Sequence, residues 1–258
     1  MKVKRPGILK KPILQIFKDS EGRWSTKWEH YFDVYERHLS RYRDQEVYIL
    51  EFGVYQGGSL QVMKEYFGSS AKIFGVDINP ACKELEEEQV KIFIGDQENP
   101  SFLNELQKRI PRIDVLIDDG GHTMKQQITT FKVMYDAIEE DGVYICEDLH
   151  TSYWPRFGGG LHKKETFVNH SKKLVDDLHA YHLDQPNRLD LQFCSSTDSL
   201  HFYDSMLVIE NRKRMQPKEV ETGIFDKDFP SVVPDQPNRT FLDKIVRRVS
   251  RRLRRIMR

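Results

Sequence analysis

The hydrophobic positions of this chain fall into short runs separated by stretches with helical spacing. Short runs rich in β-branched and aromatic residues have the composition of buried strands, and they lie at 47–50, 72–76, 90–94, 113–117 and 142–146. Between them, periodic apolar positions predict helices at 60–67, 83–89, 100–109 and 124–139. Strands that alternate with helices predict βαβ units and a mainly parallel sheet.

The flanking segments are expected to extend this sheet. Residues 1–20 are basic and apolar without a period, which predicts an extended arm, and aromatic residues at helical spacing predict a helix within 26–43. An aromatic loop at 151–160 and a helix at 163–182 follow the fifth strand. Two strands, at 190–194 and 200–210, then close the sheet with an antiparallel last strand.

This pattern predicts four parts along the chain. They are an N-terminal arm and helix at 1–45, a ligand-binding domain at 46–211, a linker at 212–240 and a tail at 241–258. The predicted fold class is α/β, a Rossmann-like fold with a seven-stranded, mainly parallel sheet and helices on both faces.

Composition and charge argue against a membrane-spanning, secreted or nucleic-acid-binding protein. No apolar run reaches the roughly 20 residues of a membrane span, and no apolar segment of a secretory signal follows the basic N-terminus. The cysteines Cys82, Cys146 and Cys194 lack metal-ligand spacing and are expected to be reduced thiols in a cytoplasmic protein. The 40 basic and 40 acidic residues balance, but residues 239–258 hold nine basic residues and one acidic residue, which leaves an acidic body. That body argues against a nucleic-acid partner.

The basic tail has two interpretations. Leu242, Ile245, Val249, Leu253 and Ile256 recur at helical spacing with arginines between them, which predicts a basic amphipathic helix. Such a helix can contact an anionic membrane face peripherally or dock on an acidic protein. A partly disordered, solvated tail is the equally weighted alternative.

A glycine-rich turn and acidic strand ends predict an adenosine-type ligand. Glycines let the backbone approach a ligand, and a carboxylate that ends the next strand can accept both ribose hydroxyls. The candidate cofactor residues are Glu51, Gly53, Tyr55, Gly57, Gly58, Ser59, Asp77, Asp96, Gln97 and Asp118. Tyr55 occupies the second glycine position of a dinucleotide fingerprint, where its side chain would block a pyrophosphate. S-adenosylmethionine has no pyrophosphate and is therefore favoured over NAD. A turn without a ligand is the alternative.

A second cluster predicts a metal and a base. Asp119 follows the fourth strand, and Glu147 and Asp148 follow the fifth, so we expect three carboxylates at one edge of the sheet. Crowded carboxylates stay ionised only around a cation, and hard oxygen ligands suit Mg²⁺. His122 can take the proton of a hydroxyl held there, and the resulting oxygen would attack the methyl group of the sulfonium. The alternative makes these residues strand-end caps.

The two strand-end motifs carry a resemblance. Asp-Asp-Gly-Gly-His at 118–122 and Glu-Asp-Leu-His-Thr-Ser-Tyr-Trp at 147–154 resemble the macrocin and mycinamicin sugar O-methyltransferases, a Mg²⁺-dependent family of the class I methyltransferase fold. The resemblance implies Asp119, Glu147 and Asp148 as ligands, His122 as general base, a sugar-containing acceptor, and a homo-oligomer. Gly121 departs from the serine usual in that family. Cephalosporin hydroxylases resemble the same sequences.

Acceptor contacts are expected in the loop that follows the second motif. Aromatic faces stack on sugar rings, so Tyr153 and Trp154, together with His150 and Arg156, are the candidate substrate residues. The alternative is an aromatic loop anchored in the core. At the level of function, a nicotinamide oxidoreductase and a non-catalytic S-adenosylmethionine-binding protein remain as alternatives. The basic tail also raises the hypothesis of a lipid-linked or polysaccharide acceptor.

Overall fold

The computed structural model describes residues 10–183 and 191–224. The chain divides into two compact units, Met1–Pro217 and Lys218–Arg258. In the second unit, the described residues 218–224 form neither helix nor strand. The linker beyond residue 224 and the predicted helix at 241–258 lie outside the described residues. Within the described part of the chain, no helix is long and apolar enough to span a bilayer.

The first unit is built on a seven-stranded sheet with the order β3-β2-β1-β4-β5-β7-β6. Its strands are β1 Tyr48–Phe52, β2 Lys72–Asp77, β3 Val90–Ile94, β4 Val115–Asp118, β5 Val143–Cys146, β6 Thr197–Tyr203 and β7 Met206–Asn211. The pairings among β1 to β5 are parallel, whereas β7 runs antiparallel to both β5 and β6. The predicted fold class is confirmed.

Helices cover both faces of this sheet. Those in the described residues are α1 Ile13–Asp19, α2 Tyr31–Leu39, α3 Gly58–Phe67, α4 Pro100–Arg109, α5 Met124–Met134, α6 Phe167–Leu178 and α7 Leu191–Ser196. Successive residues of a strand point to opposite faces, and here both faces are apolar. Ile49 and Ile117 belong to the core on one side, while Leu50 and Leu116 belong to the core on the other. Because both sides are buried, the strands read as continuous apolar runs.

The strand order places the chemistry-bearing loops together. The chain goes from β1 outward to β2 and β3, then returns to β4 on the other side of β1. A crevice forms at the carboxyl ends of strands beside such a switch. Phe52 pairs with Asp118, and Asp118 pairs with Cys146, so β1, β4 and β5 end level with one another. The residues that follow these three strands therefore share one edge of the sheet.

Four local predictions were wrong. The single strand expected at 200–210 is a hairpin of two antiparallel strands, β6 and β7, with its turn at 204–205. The expected N-terminal arm contains α1, whose Ile13 and Ile16 are buried one helical turn apart. The segment predicted as a strand at 190–194 belongs largely to α7, which buries Phe193 and Cys194; so short an apolar run does not distinguish helix from strand. The acidic helix expected at 83–89 is instead a 3-10 turn, Pro80–Leu85, capped by Asn79.

Candidate active site

A cavity of ≈ 510 Å³ opens at the carboxyl ends of β1, β2, β3 and β4. Its volume is in the range of small-molecule sites. Of the residues predicted from sequence, it is lined by Gly53, Tyr55, Gly58, Ser59, Asp77, Asp96, Gln97, Asp119, His122 and Asp148. Glu51, Gly57, Asp118 and Glu147 are not among its lining residues. The N-terminal segment, through Trp24, Ser25 and Thr26, supplies part of the wall.

The glycine turn is fixed by Asp77 at the end of β2. The Oδ2 atom of Asp77 accepts hydrogen bonds from the backbone N–H groups of Val54 and Tyr55, both at 2.9 Å. Gly53 has a positive φ of 92°, and a Cβ atom there would fall on the backbone carbonyl oxygen of Asp119. A glycine is therefore required where the turn after β1 meets the turn after β4. Tyr55 also adopts a left-handed conformation, and its side chain is exposed.

A buried polar network fixes the turn after β4. Gln97 donates a hydrogen bond from Nε2 to Asp118 Oδ1 at 2.9 Å, and its Oε1 accepts the backbone N–H of Gly121 at 3.0 Å. Burial raises the pKa of Asp118 to about 6. Asp118 thus lies beneath the cavity and supports the turn, whereas Gln97 both supports it and lines the cavity. The predicted contact of Asp118 with a cofactor has no support from this geometry and stays a prediction.

His122 and two carboxylates meet at the rim of the cavity. Nε2 of His122 lies 3.6 Å from Oδ2 of Asp148 and 3.9 Å from Oδ1 of Asp119. One ligand atom from each of the three residues lies within 4.8 Å of the others, a spacing that could hold a metal ion. His122 and Asp148 both have positive φ angles, 57° and 55°. Such backbone strain in residues other than glycine is concentrated at functional sites.

Glu147 lies deeper than the other two acids. Its side chain is fully buried, and its carboxylate accepts hydrogen bonds from the phenol of Tyr35 and from Lys27 Nζ, the latter at 2.8 Å. It does not belong to the group of three ligand atoms within 4.8 Å. The role of Glu147 as a metal ligand stays a prediction. In this structure its carboxylate pairs with the ammonium of Lys27.

Sequence reasoning missed the contribution of the N-terminal segment. Lys27 Nζ lies 2.5 Å from Asp119 Oδ2, and the phenol of Tyr31 donates to Asp148 Oδ1 at 2.7 Å. With Tyr35 on Glu147, one segment thus contacts all three acids. Tyr31 and Tyr35 were recognised only as part of an aromatic helical stripe. The overlooked signal was the pair of phenols at positions i and i+4 of α2, which places two hydroxyl groups on one buried face of that helix, whereas Lys27 lies in the segment before the helix and gives no periodic signal.

The charges of this cluster do not balance. Burial opposes the charge on Lys27, but the carboxylates of Asp119 and Glu147 outweigh it and hold the pKa of Lys27 well above its ordinary value. The single positive charge of Lys27 cannot neutralise the three carboxylates that it contacts. Burial accordingly raises the pKa of Glu51 to about 7, and burial followed by the charge of Asp119 raises the pKa of Glu147. Neither oxygen of Glu51 has a hydrogen-bond partner among the described residues. An added cation would stabilise this cluster.

The candidate substrate residues cluster outside the lining of the main cavity. The ring of His150 lies 4.5 Å from that of Trp154 and 6.0 Å from that of Trp28. The guanidinium of Arg156 lies 4.8 Å from the Trp154 ring. Tyr153 and Trp154 are substantially exposed, so neither is anchored in the core. His150 and Tyr153 line a second cavity of ≈ 440 Å³, and Arg156 lines a third of ≈ 490 Å³. None of the four candidate substrate residues lines the main cavity.

Comparison with known proteins places this arrangement in a family. No protein-family model matches the chain. The chain is 36% identical over 202 residues to the 8-demethyl-8-α-L-rhamnosyl tetracenomycin-C 2'-O-methyltransferase of Streptomyces olivaceus, covering 73% of this chain and 52% of that protein. It is 33% identical over 223 residues to the demethylmacrocin O-methyltransferase of Streptomyces fradiae, covering 81% and 55% respectively. The chain thus spans about half the length of the curated relatives it matches.

A solved methyltransferase structure supports the same family. The MycE methyltransferase of the mycinamycin biosynthetic pathway, in complex with Mg, SAH and mycinamycin VI, superimposes with a TM-score of 0.70 at 27% identity. The match covers 79% of this chain and 54% of that one. The sequence similarity, the strand order and the carboxylate–histidine cluster all lead to one assignment. The chain belongs to the class I methyltransferase family that contains the macrocin and mycinamicin sugar O-methyltransferases.

Proposed function

We propose that this protein is a Mg²⁺-dependent O-methyltransferase that moves a methyl group from S-adenosylmethionine to a sugar hydroxyl of a glycan or a glycosylated natural product. The observation that carries the proposal is the position of His122. Its Nε2 atom lies within 4 Å of both Asp119 and Asp148, and His122 lines the same cavity as the glycine turn. A base thus adjoins both a cation site and a nucleoside-sized cavity.

The cavity residues suit the methyl donor. S-adenosylmethionine would supply an activated methyl group on a sulfonium. Asp77, at the end of β2, would accept hydrogen bonds from the ribose hydroxyls, and Asp96 would lie towards the adenine ring of the donor. The backbone around Gly53 can approach the ligand closely because no side chain stands there. Glu51 precedes this turn, is fully buried and does not line the cavity, so its contact with the donor stays a prediction.

The acid residues suit a magnesium ion. Asp119 and Asp148 offer carboxylate oxygens at the rim, and the predicted third oxygen ligand is Glu147. Magnesium, when bound, would supply positive charge that favours the ionised form of an acceptor hydroxyl. The excess of buried carboxylates over cations in the cluster supports this assignment, since the residues present fit a divalent ion.

His122 would be the general base. Nδ1 has no hydrogen-bond partner among the described residues, and Nε2 is the nitrogen that faces the two acids. Nε2 would take the proton from the acceptor hydroxyl as the new O–C bond forms and the S–C bond breaks. The imidazolium that results would lie between Asp119 and Asp148, whose negative charges stabilise it.

The acceptor class is tested by a methyl-transfer assay. Glycosides and nucleotide sugars would be incubated with S-adenosylmethionine carrying an isotope-labelled methyl group, with Mg²⁺ or with EDTA. We expect label on a sugar hydroxyl in the presence of Mg²⁺ and a large loss with EDTA. Label transferred equally well in EDTA would contradict the metal-dependent mechanism, and label confined to non-sugar hydroxyls would contradict the acceptor class.

A peripheral membrane contact of a cytoplasmic enzyme is proposed from the sequence of the tail alone. Residues 239–258 carry nine basic residues against one acidic residue, with apolar residues at helical spacing. Full-length protein should float with vesicles containing anionic lipid, whereas a version that ends at Pro237 should not. Equal behaviour of the two proteins would refute the proposal.

A further inference from the structure

The least expected group in the site is the ammonium of Lys27. Its side chain is 5% exposed, although lysine is rarely buried. Nζ lies 2.5 Å from Asp119 Oδ2, 2.8 Å from Glu147 Oε2 and 3.9 Å from Glu51 Oε1. A buried ammonium is tolerated only where carboxylates compensate for its lost hydration. Lys27 is therefore an internal cation that contacts three acids. Glu51 lies in β1, Asp119 directly follows β4, and Glu147 directly follows β5.

This position conflicts with the expected magnesium ligands. Magnesium binds oxygen atoms at about 2.0–2.1 Å, and the ammonium of Lys27 already contacts one oxygen of Asp119 and one oxygen of Glu147. One ammonium and one divalent ion cannot both occupy the space between those two oxygens. Apart from the two oxygens that Lys27 contacts, Asp119 Oδ1 and Asp148 Oδ2 lie 3.9 and 3.6 Å from His122 Nε2, in the group of three residues that could hold an ion.

The two arrangements have different consequences for His122. If the ion used His122 as its third ligand, the imidazole nitrogen would no longer be free to take a proton. If the ion replaced Lys27, Glu147 would become the third ligand and His122 would stay free. Displacement of Lys27 thus reconciles an all-carboxylate ligand set with a histidine base.

The structure also provides a place for the displaced ammonium. Glu51 is fully buried, neither of its oxygens has a hydrogen-bond partner among the described residues, and Oε1 lies 3.9 Å from Nζ. A small movement of the lysine side chain would shorten this long ion pair to a direct hydrogen bond. The charge would then remain compensated after the ion has entered.

We propose that Lys27 is a positioning residue that occupies the site between Asp119 and Glu147 in the metal-free protein and is displaced towards Glu51 when a divalent cation binds. This inference rests on the proposed metal-dependent function. It predicts that Lys27 competes with the cation and so lowers the affinity for it.

The first test compares Mn²⁺ binding by metal-free, full-length wild-type protein, Lys27→Met and the surface control Lys18→Met, followed by the electron paramagnetic resonance signal of free Mn²⁺. Lys18 is an exposed lysine paired with Glu29. We expect Lys27→Met to bind Mn²⁺ about tenfold more tightly than wild type, a change that corresponds to one competing interaction of ordinary strength. The control should match wild type. Unchanged or weaker binding by a folded Lys27→Met would overturn the proposal.

The second test uses wild-type protein, so it does not depend on whether the variant folds. The side-chain ammonium of Lys27, labelled with nitrogen-15 and assigned by its absence in Lys27→Arg, should give a signal protected from solvent exchange without metal. Mg²⁺ should shift that signal. An unchanged signal at saturating Mg²⁺ would overturn the displacement alone. Failure of wild type to bind Mn²⁺ at all would instead overturn the proposed metal-dependent function.

Discussion

Nε2 of His122 lies 3.6 Å from Oδ2 of Asp148, although the two residues follow different strands of the sheet. Each of the two residues has a left-handed backbone conformation, with φ angles of 57° and 55°. The pair joins the base of the proposed reaction to the cation site.

Replacement of His122 should separate binding from catalysis. His122→Ala is expected to bind S-adenosylhomocysteine like wild type, because the imidazole only borders the cavity, while kcat falls by about 10²–10⁴-fold through loss of the base. Calorimetry and the methyl-transfer assay measure the two effects. The exposed residue His182 provides the control variant His182→Ala, which should retain full activity. Undiminished turnover in His122→Ala would exclude this histidine as the base.

Removal of one phenol should weaken the cation site without removing a ligand. The hydroxyl of Tyr31 donates to Asp148 Oδ1 at 2.7 Å and accepts the backbone N–H of the same residue at 3.2 Å. In Tyr31→Phe the carboxylate loses this orientation, and we expect affinity for Mn²⁺ to fall about tenfold. Tyr181→Phe is the control, since that phenol donates to the carbonyl of Arg214. Equal Mn²⁺ affinity in folded Tyr31→Phe and wild type would show that Asp148 needs no such support.

Replacement of Gly53 by alanine should lower the free energy of unfolding far more than replacement of Gly158. Both glycines have positive φ angles, 92° and 83°. A Cβ at Gly53 meets the backbone oxygen of Asp119, whereas at Gly158 the nearest atom is a side-chain carbon of Met124 at 3.7 Å. We expect Gly158→Ala to lower the free energy of unfolding by about 1–2 kcal/mol and Gly53→Ala by about 3–5 kcal/mol. Urea unfolding measures both, and equal losses would contradict the contact between the two turns.

His170 should contribute a pH-dependent part of stability. It packs against Phe131 and Phe167, and burial lowers its pKa from 6.5 to about 4. The folded protein therefore keeps His170 neutral at pH values where the unfolded chain takes up a proton. The resulting stability is present above pH 6.5 and is lost as the pH falls towards 4, by about 1–2 kcal/mol once partial exposure is allowed for.

His170→Leu should remove this part of the acid sensitivity. Urea unfolding of both proteins at about pH 7 and about pH 5 gives the comparison. An identical loss of stability in the variant would show that His170 titrates normally in the folded protein.

The sheet was predictable because its strands are buried on both faces. β4 and β5 consist entirely of buried residues, so each reads as a continuous apolar run. The carboxylates were predictable as well, because parallel strands that end level bring the residues after them together. Asp119 and Asp148 meet His122 for this reason.

The position of Lys27 in the site could not be predicted from the strand pattern. Lys27 reaches Asp119 across 92 residues and Glu147 across 120 residues of sequence, from a segment outside the βαβ pattern. A lysine is usually exposed, and only the three-dimensional structure shows that the side chain of Lys27, in the segment before α2, is buried. The short helix α7 was missed for a different reason, since six residues are too few to show a helical period.

The central claim is that the cavity above Gly53 and Asp77 binds an S-adenosylmethionine-type nucleoside and not a dinucleotide. Calorimetric titration of the full-length protein with S-adenosylhomocysteine and, separately, with NADH tests it most directly. We expect saturable binding of S-adenosylhomocysteine and no binding of NADH. Binding of NADH, or the absence of binding by S-adenosylhomocysteine with and without Mg²⁺, would contradict it.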